Sequence, residues 1–124
     1  MTTITESNRL GDVLKYEAPN LYSRDEVTVA NGQNLAVGTV VGILTADGKI
    51  TALNPGASDG SEIAAGVIAN DVDASGGDTA SWMVARHAIA SDNGLVWPGS
   101  INAAQLATAT GQLKQLGILI RKGA

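Results

Sequence analysis

The chain's one histidine, His87, lies in the run Trp82–Ile89, with Ser81 before it and Asp92 after it. A hydroxyl, an imidazole and a carboxylate are the parts of a nucleophilic triad, in which the imidazole takes the hydroxyl proton and the carboxylate orients the ring. These three residues lack the setting that chemistry needs. No G-x-S-x-G turn presents the serine, and His87 reads more plainly as a half-exposed strand residue.

Two other stretches resemble ion or phosphate sites and fail on spacing. Asp71-Val72-Asp73-Ala74-Ser75-Gly76 opens like a calcium loop, but the twelfth position, which should hold a bidentate glutamate, is Trp82. Asp and Ser at such spacing are expected to bond their own turn backbone instead. The segment from Gly42 to Gly48-Lys49 is one residue too long for a phosphate loop, and Ile50 stands where a magnesium-ligating hydroxyl belongs. The expectation is a protein without catalytic residues, metal site or cofactor.

The bulk properties narrow the class further. At 124 residues the chain is one domain's worth. It has no Phe and only 3% aromatics, so the core must be Val, Ile, Leu and Ala, with Trp82 and Trp97 as the large pieces. A net charge of −4, with Arg121-Lys122 as the longest basic run, suits nucleic acid poorly. With no cysteine there is neither a disulfide framework nor a thiolate metal site. No apolar run reaches 18 residues and the first twelve residues are polar and mixed in charge, so neither a membrane span nor a signal peptide is expected.

Those parts must be positioned by short strands. Glu26–Ala30 alternates and is β-branched; Thr39–Leu44, Lys49–Leu53, Ile63–Ala69, Ser81–Ile89, Leu95–Trp97 and Ile118–Ile120 read as further strands. Asn31-Gly32, Asp47-Gly48 and Asp92-Asn93-Gly94 are turn signals between them. This spacing predicts a mainly β fold, a small clip or barrel rather than βαβ units. One helix is predicted over about 102–116. Asn102 and Gln105 have capping-box spacing, Leu106, Ala109, Leu113 and Leu116 share a face, Lys114 suits the last turn, and Gly117 suits the C′ position.

Residues 1–24 differ from the rest. They show no regular periodicity, yet carry apolar anchors at Leu10, Val13, Leu14, Tyr16, Leu21 and Tyr22. With one Gly and one Pro, this is neither a flexible linker nor a polyproline spacer. It reads as an extended N-terminal arm over 1–24 that orders on a partner, ahead of a β-rich domain over 25–124. Trp97-Pro98 has two readings, a plug in the core at the strand–helix junction or a subunit interface, where Trp is enriched.

The order and spacing of several short stretches resemble one family. These are Tyr22-Ser23-Arg24, Val27–Ala30, Gly32–Leu35, Gly38-Thr39-Val40, Gly48-Lys49, Ala65-Gly66-Val67, Val72-Asp73-Ala74, Leu95–Pro98 and Leu116-Gly117-Ile118. Together, from about Asp12 to Arg121, they are similar to the head decoration proteins of lambda-like tailed bacteriophages; the first eleven residues match least. The resemblance implies a β-clip fold and a non-enzymatic homotrimer on the outer surface of the virion capsid, made in the host cytoplasm. The trimer would sit at three-fold and quasi-three-fold positions, bound to the major capsid protein after expansion, and would stabilise the head against packaged DNA. No nucleic acid or membrane is implied as a partner. The arm residues Leu10, Val13, Leu14, Lys15, Tyr16, Leu21 and Tyr22 would then contact the capsid, with Trp97 and Pro98 as a candidate trimer interface. The alternative is a small β-rich ligand- or carbohydrate-binding module. That class displays exposed aromatics, and the placement of both tryptophans in predicted strands argues against it.

Overall fold

A computed structural model describes residues 14–17 (backbone alone for 15–17), 24–92 and 94–122. The fold is mainly β. Its strands are β1 (Leu14–Glu17), β2 (Arg24–Val29), β3 (Asn34–Leu35), β4 (Val40–Ile43), β5 (Ile50–Ala52), β6 (Gly66–Ile68), β7 (Val72–Asp73), β8 (Thr79–Val84), β9 (Ala88–Ser91) and β10 (Ile118–Arg121). The helix α1 (Ala103–Gln115) lies between the last two.

Five strands close into a barrel in the order β2-β5-β4-β6-β8. β2 runs antiparallel to β8 over its whole length and joins β5 in parallel through Val29 and Ile50. A closed ring leaves no free sheet edge on the barrel. Outside it lie a three-stranded sheet, β1-β9-β10, and the short pair β3-β7.

Runs such as Val40-Val41, Val67-Ile68 and Met83-Val84 are apolar without a break because these strands are buried on both faces. Val41, Ile68 and Met83 join Val29 and Ile50 in a cluster drawn from all five barrel strands, which fills the interior. Val40, Val67 and Val84 point the other way and pack with Ala88, Ala90, Ala109, Leu113 and Ile118 under the helix and the outer sheet. Two aliphatic cores thus share one set of strand walls.

The helix forms where the caps require it. Asn102 Oδ1 accepts the Gln105 N–H at 2.8 Å, and Gln105 Oε1 accepts the Asn102 N–H at 3.0 Å, so two N-terminal donors are satisfied reciprocally. Gly117, with φ +84°, follows the C-cap Leu116. The buried face is narrower than the spacing predicts: Ala109 and Leu113 are buried, but Leu106 and Leu116 stay 37% exposed. Gln112 Oε1 accepts the Ala64 N–H at 2.8 Å and ties the helix to the loop before β6.

Several expectations are corrected. Ser81–Ile89 is not one strand; it divides into β8 and β9 around His87, whose φ is +50°. Trp82 is no core piece, being 47% exposed between the buried Ser81 and Met83. Leu95–Trp97 contributes only the bridge from Val96 to Thr39. Residues 14–17, read without periodicity, form a strand antiparallel to β9, with Leu14 opposite Ala90.

Candidate functional site

The turn-bound carboxylates are engaged locally. Asp73 Oδ1 accepts the Ser75 N–H at 3.0 Å and its hydroxyl at 2.6 Å. Asp59 Oδ1 accepts the same two groups of Ser61. These bonds, the serine hydroxyl first, hold both carboxyls below their ordinary range. Asp71 Oδ1 accepts the Val37 N–H at 2.8 Å. The calcium-like stretch is thus a turn whose acids bond backbone and serine, and among the described residues no three His, Cys, Asp or Glu side chains gather around a point.

Lys49, the lysine of the phosphate-loop-like stretch, lies 2.7 Å from Asp78 Oδ2. Their hydrogen bond raises the lysine pKa and lowers that of the aspartate, whose other oxygen accepts the Asn31 N–H. Ser81 donates its hydroxyl to Asn70 Oδ1 at 2.6 Å and is buried. His87 is exposed at the turn after β8. The three parts of the notional triad thus fall on different elements, with the serine hydroxyl already spent.

The described residues offer surfaces rather than a reactive cleft. One groove of about 500 Å³ is bordered by Ile43, Ile63 and Leu116, which are 40%, 51% and 37% exposed, over Met83. Arg86 and Asp25, paired at 2.6 Å, stand at its rim. A second groove, of about 350 Å³, runs between Thr110 and Lys114 of α1 and Ile118–Arg121 of β10. Large apolar side chains converging on one concavity mark contact surfaces more than scattered ones do.

Of the residues predicted to act, Leu14 is half-buried and packs against the core under the outer sheet. Leu10, Val13, Leu21 and Tyr22 lie outside the described residues, as do the side chains of Lys15 and Tyr16. Trp97 is half-buried against the same core as Leu14, with Pro98 half-buried beside it. No sequence pattern marks the Ile43–Ile63–Leu116 groove. Its members come from the end of β4, the loop before β6 and the helix end, and no periodicity links them.

A small closed barrel with an outer sheet and a capped helix defines a mainly β protein of barrel type. A family model described as bacteriophage lambda head decoration protein D matches residues 3–118, and the chain belongs to that family. A comparison with curated proteins finds no match. Membership makes it a phage head decoration protein, associated with the virion capsid. Among the described residues no helix is long and apolar enough to cross a membrane.

Proposed function

We propose that the protein acts as a homotrimer on the outer face of the expanded head, bound to the major capsid protein at three-fold and quasi-three-fold positions. There it stabilises the shell against packaged DNA without catalysing a reaction, having been made in the host cytoplasm. The family match over nearly the whole chain carries this reading. The exposed Ile43, Ile63 and Leu116, gathered in one groove, support a protein that is covered by partners when it works.

The arm is proposed as the anchor, through Leu10, Val13, Lys15, Tyr16, Leu21 and Tyr22. Three arms per trimer would bind multivalently, and a ligand selective for the expanded lattice stabilises it by mass action. Trp97 and Pro98 remain the proposed protomer contact through the faces they leave exposed.

The test is binding to expanded and unexpanded capsids stripped of decoration, for the intact chain and for a Leu10→Ala, Val13→Ala, Tyr22→Ala triple variant. Saturable binding to expanded capsids alone, lost in the variant while the domain stays folded, is the expected result. Failure of the intact chain to bind any related capsid would sink the reading.

One observation favours a second reading. Trp82 is 47% exposed on the outer barrel face, paired across the strands with Glu26, as a stacking platform for a sugar would be. That reading expects intrinsic Trp fluorescence to change with an oligosaccharide, and the capsid reading expects no change.

A further inference from the structure

β10 is an outer strand of the β1-β9-β10 sheet, and its backbone carries a readable pattern. Ala88 N–H donates to Gly117 C=O at 3.1 Å and Asp92 N–H donates to Arg121 C=O at 3.1 Å, so the odd-numbered residues turn their polar groups toward β9. In a parallel ladder the alternate residues turn theirs away. The N–H and C=O of Ile120 therefore face away from β9, on the side that no described strand pairs, in the groove floored by β10 and walled by Thr110 and Lys114. An unpaired strand edge is a template for one more strand.

The charge along this edge is distinctive. The chain has eight Lys and Arg for twelve Asp and Glu. Lys49 and Arg86 are held in ion pairs with Asp78 and Asp25 on the barrel. Lys114, Arg121 and Lys122 are all exposed and all lie along or beside this groove. Asp92 follows the end of β9, and Glu17 belongs to β1 of the same sheet. Lys114 and Arg121 thus line a groove that offers strand-pairing groups, with Lys122 next in the chain.

We infer that the β10 edge accepts an extended, acidic segment of the major capsid protein as an added strand. Ile120 supplies the main-chain hydrogen bonds, Leu119 the exposed apolar contact, and Lys114, Arg121 and Lys122 the charge match. This contact is separate from the N-terminal arm, and it rests on the capsid-binding reading above. Main-chain pairing gives affinity with little side-chain specificity, and the basic rim selects an acidic strand over others.

The experiment compares binding to expanded, decoration-free capsids by the wild type, the charge reversal Lys114→Glu with Arg121→Glu, the charge-keeping Lys114→Arg with Arg121→Lys, and Ile120→Pro. Proline at 120 removes the outward N–H and spares the bonds to β9; the exposed charge variants cover the case in which it fails to fold. Hydrogen exchange of residues 118–121 is followed on and off the capsid. The expected result is at least a tenfold loss for the charge reversal, near-full binding for the charge-keeping variant, affinity that falls with salt, and slowed exchange at Ile120 on the capsid. Undiminished binding by the charge reversal, with unchanged exchange at Ile120, overturns the inference and leaves the capsid reading standing. Variants that lose self-association instead assign the edge to a second copy and also overturn it. A wild type that binds no capsid removes both.

Discussion

His87 and Gly117 stand against each other in left-handed backbone, with φ +50° and +84°, where β9 and β10 begin. A Cβ on Gly117 would lie 3.2 Å from the His87 amide nitrogen. Left-handed backbone costs a side-chain-bearing residue about 1–2 kcal/mol, and Gly avoids it. Gly117→Ala is expected to destabilise by at least that amount. His87→Gly should be more stable than His87→Val by about 1–2 kcal/mol, read from urea midpoints at constant m.

Gly42 and Gly66 make the barrel wall thin where neighbours press on it. A Cβ at Gly66 would meet the Val84 carbonyl oxygen at 2.5 Å and Met83 Cγ at 2.7 Å, and one at Gly42 would meet Ser61 Cα at 2.7 Å. The backbone atoms cannot swing aside as a side chain end would. Either glycine replaced by Ala should cost about 1–3 kcal/mol or more, as overpacking does. The same change at the exposed turn residue Gly76, where a Cβ meets nothing within 4 Å, serves as the control.

Ser91 carries the one buried side-chain oxygen without a hydrogen-bond partner among the described residues, and the residue is fully buried on β9. A buried hydroxyl left unpaired costs about 1–3 kcal/mol. Ser91→Ala should therefore be neutral or stabilising by thermal unfolding. A loss above about 1 kcal/mol would mean that the hydroxyl has a partner elsewhere in the chain.

The helix depends on its cap and on its largest buried side chain, Leu113. Asn102→Ala removes the bond to the Gln105 N–H and should cost about 1 kcal/mol. Leu113→Ala empties a site with no exposure and should cost about 2–5 kcal/mol. Leu106→Ala, on the exposed side of the same helix, should stay well below that in equilibrium unfolding.

Acid should weaken the fold through its turns. Asp59, Asp73 and Asp78 all titrate below the ordinary value of 3.8 in the folded chain. Their folded pKa values are depressed, so their stabilisation is complete above that value and is lost as pH falls through the folded values. Melting temperature is thus expected to hold from pH 7 to about 5 and to decline below 4. Asp59→Asn with Asp73→Asn should flatten that decline, and an unchanged slope would count against these turns.

Much of this architecture can be read from residue patterns, and the failures have physical causes. Asn31-Gly32 and Asp47-Gly48 mark turns because few other pairs tolerate the backbone there, and the reciprocal bonds of Asn102 and Gln105 follow from a spacing of three. Trp82 lies outside the core, and a signal for that is present in the sequence. If Met83 enters the barrel, strand alternation puts Trp82 outside it. The break at His87 carries no such signal, because its positive φ falls on a residue type that does not mark a turn. Two-residue strands such as Asn34–Leu35 exist only through their partner, Val72–Asp73. The grooves combine residues from distant segments, so only the folded chain brings them together.

The order in which the barrel and outer sheet pair has a consequence for synthesis. β1 pairs with β9 through Leu14 and Ala90, and β2 closes the ring with β8. β1 lacks its mate, and β2 its long partner, until most of the chain has left the ribosome, roughly 4–15 s after Leu14 emerges at ordinary elongation rates. Beyond the β4–β5 pair and the helix, the sheet contacts are non-local, which places folding toward the slower regime of milliseconds to seconds. A nascent chain stalled before residue 79 holds β2 without its long partner, and a host chaperone has the most reason to bind there.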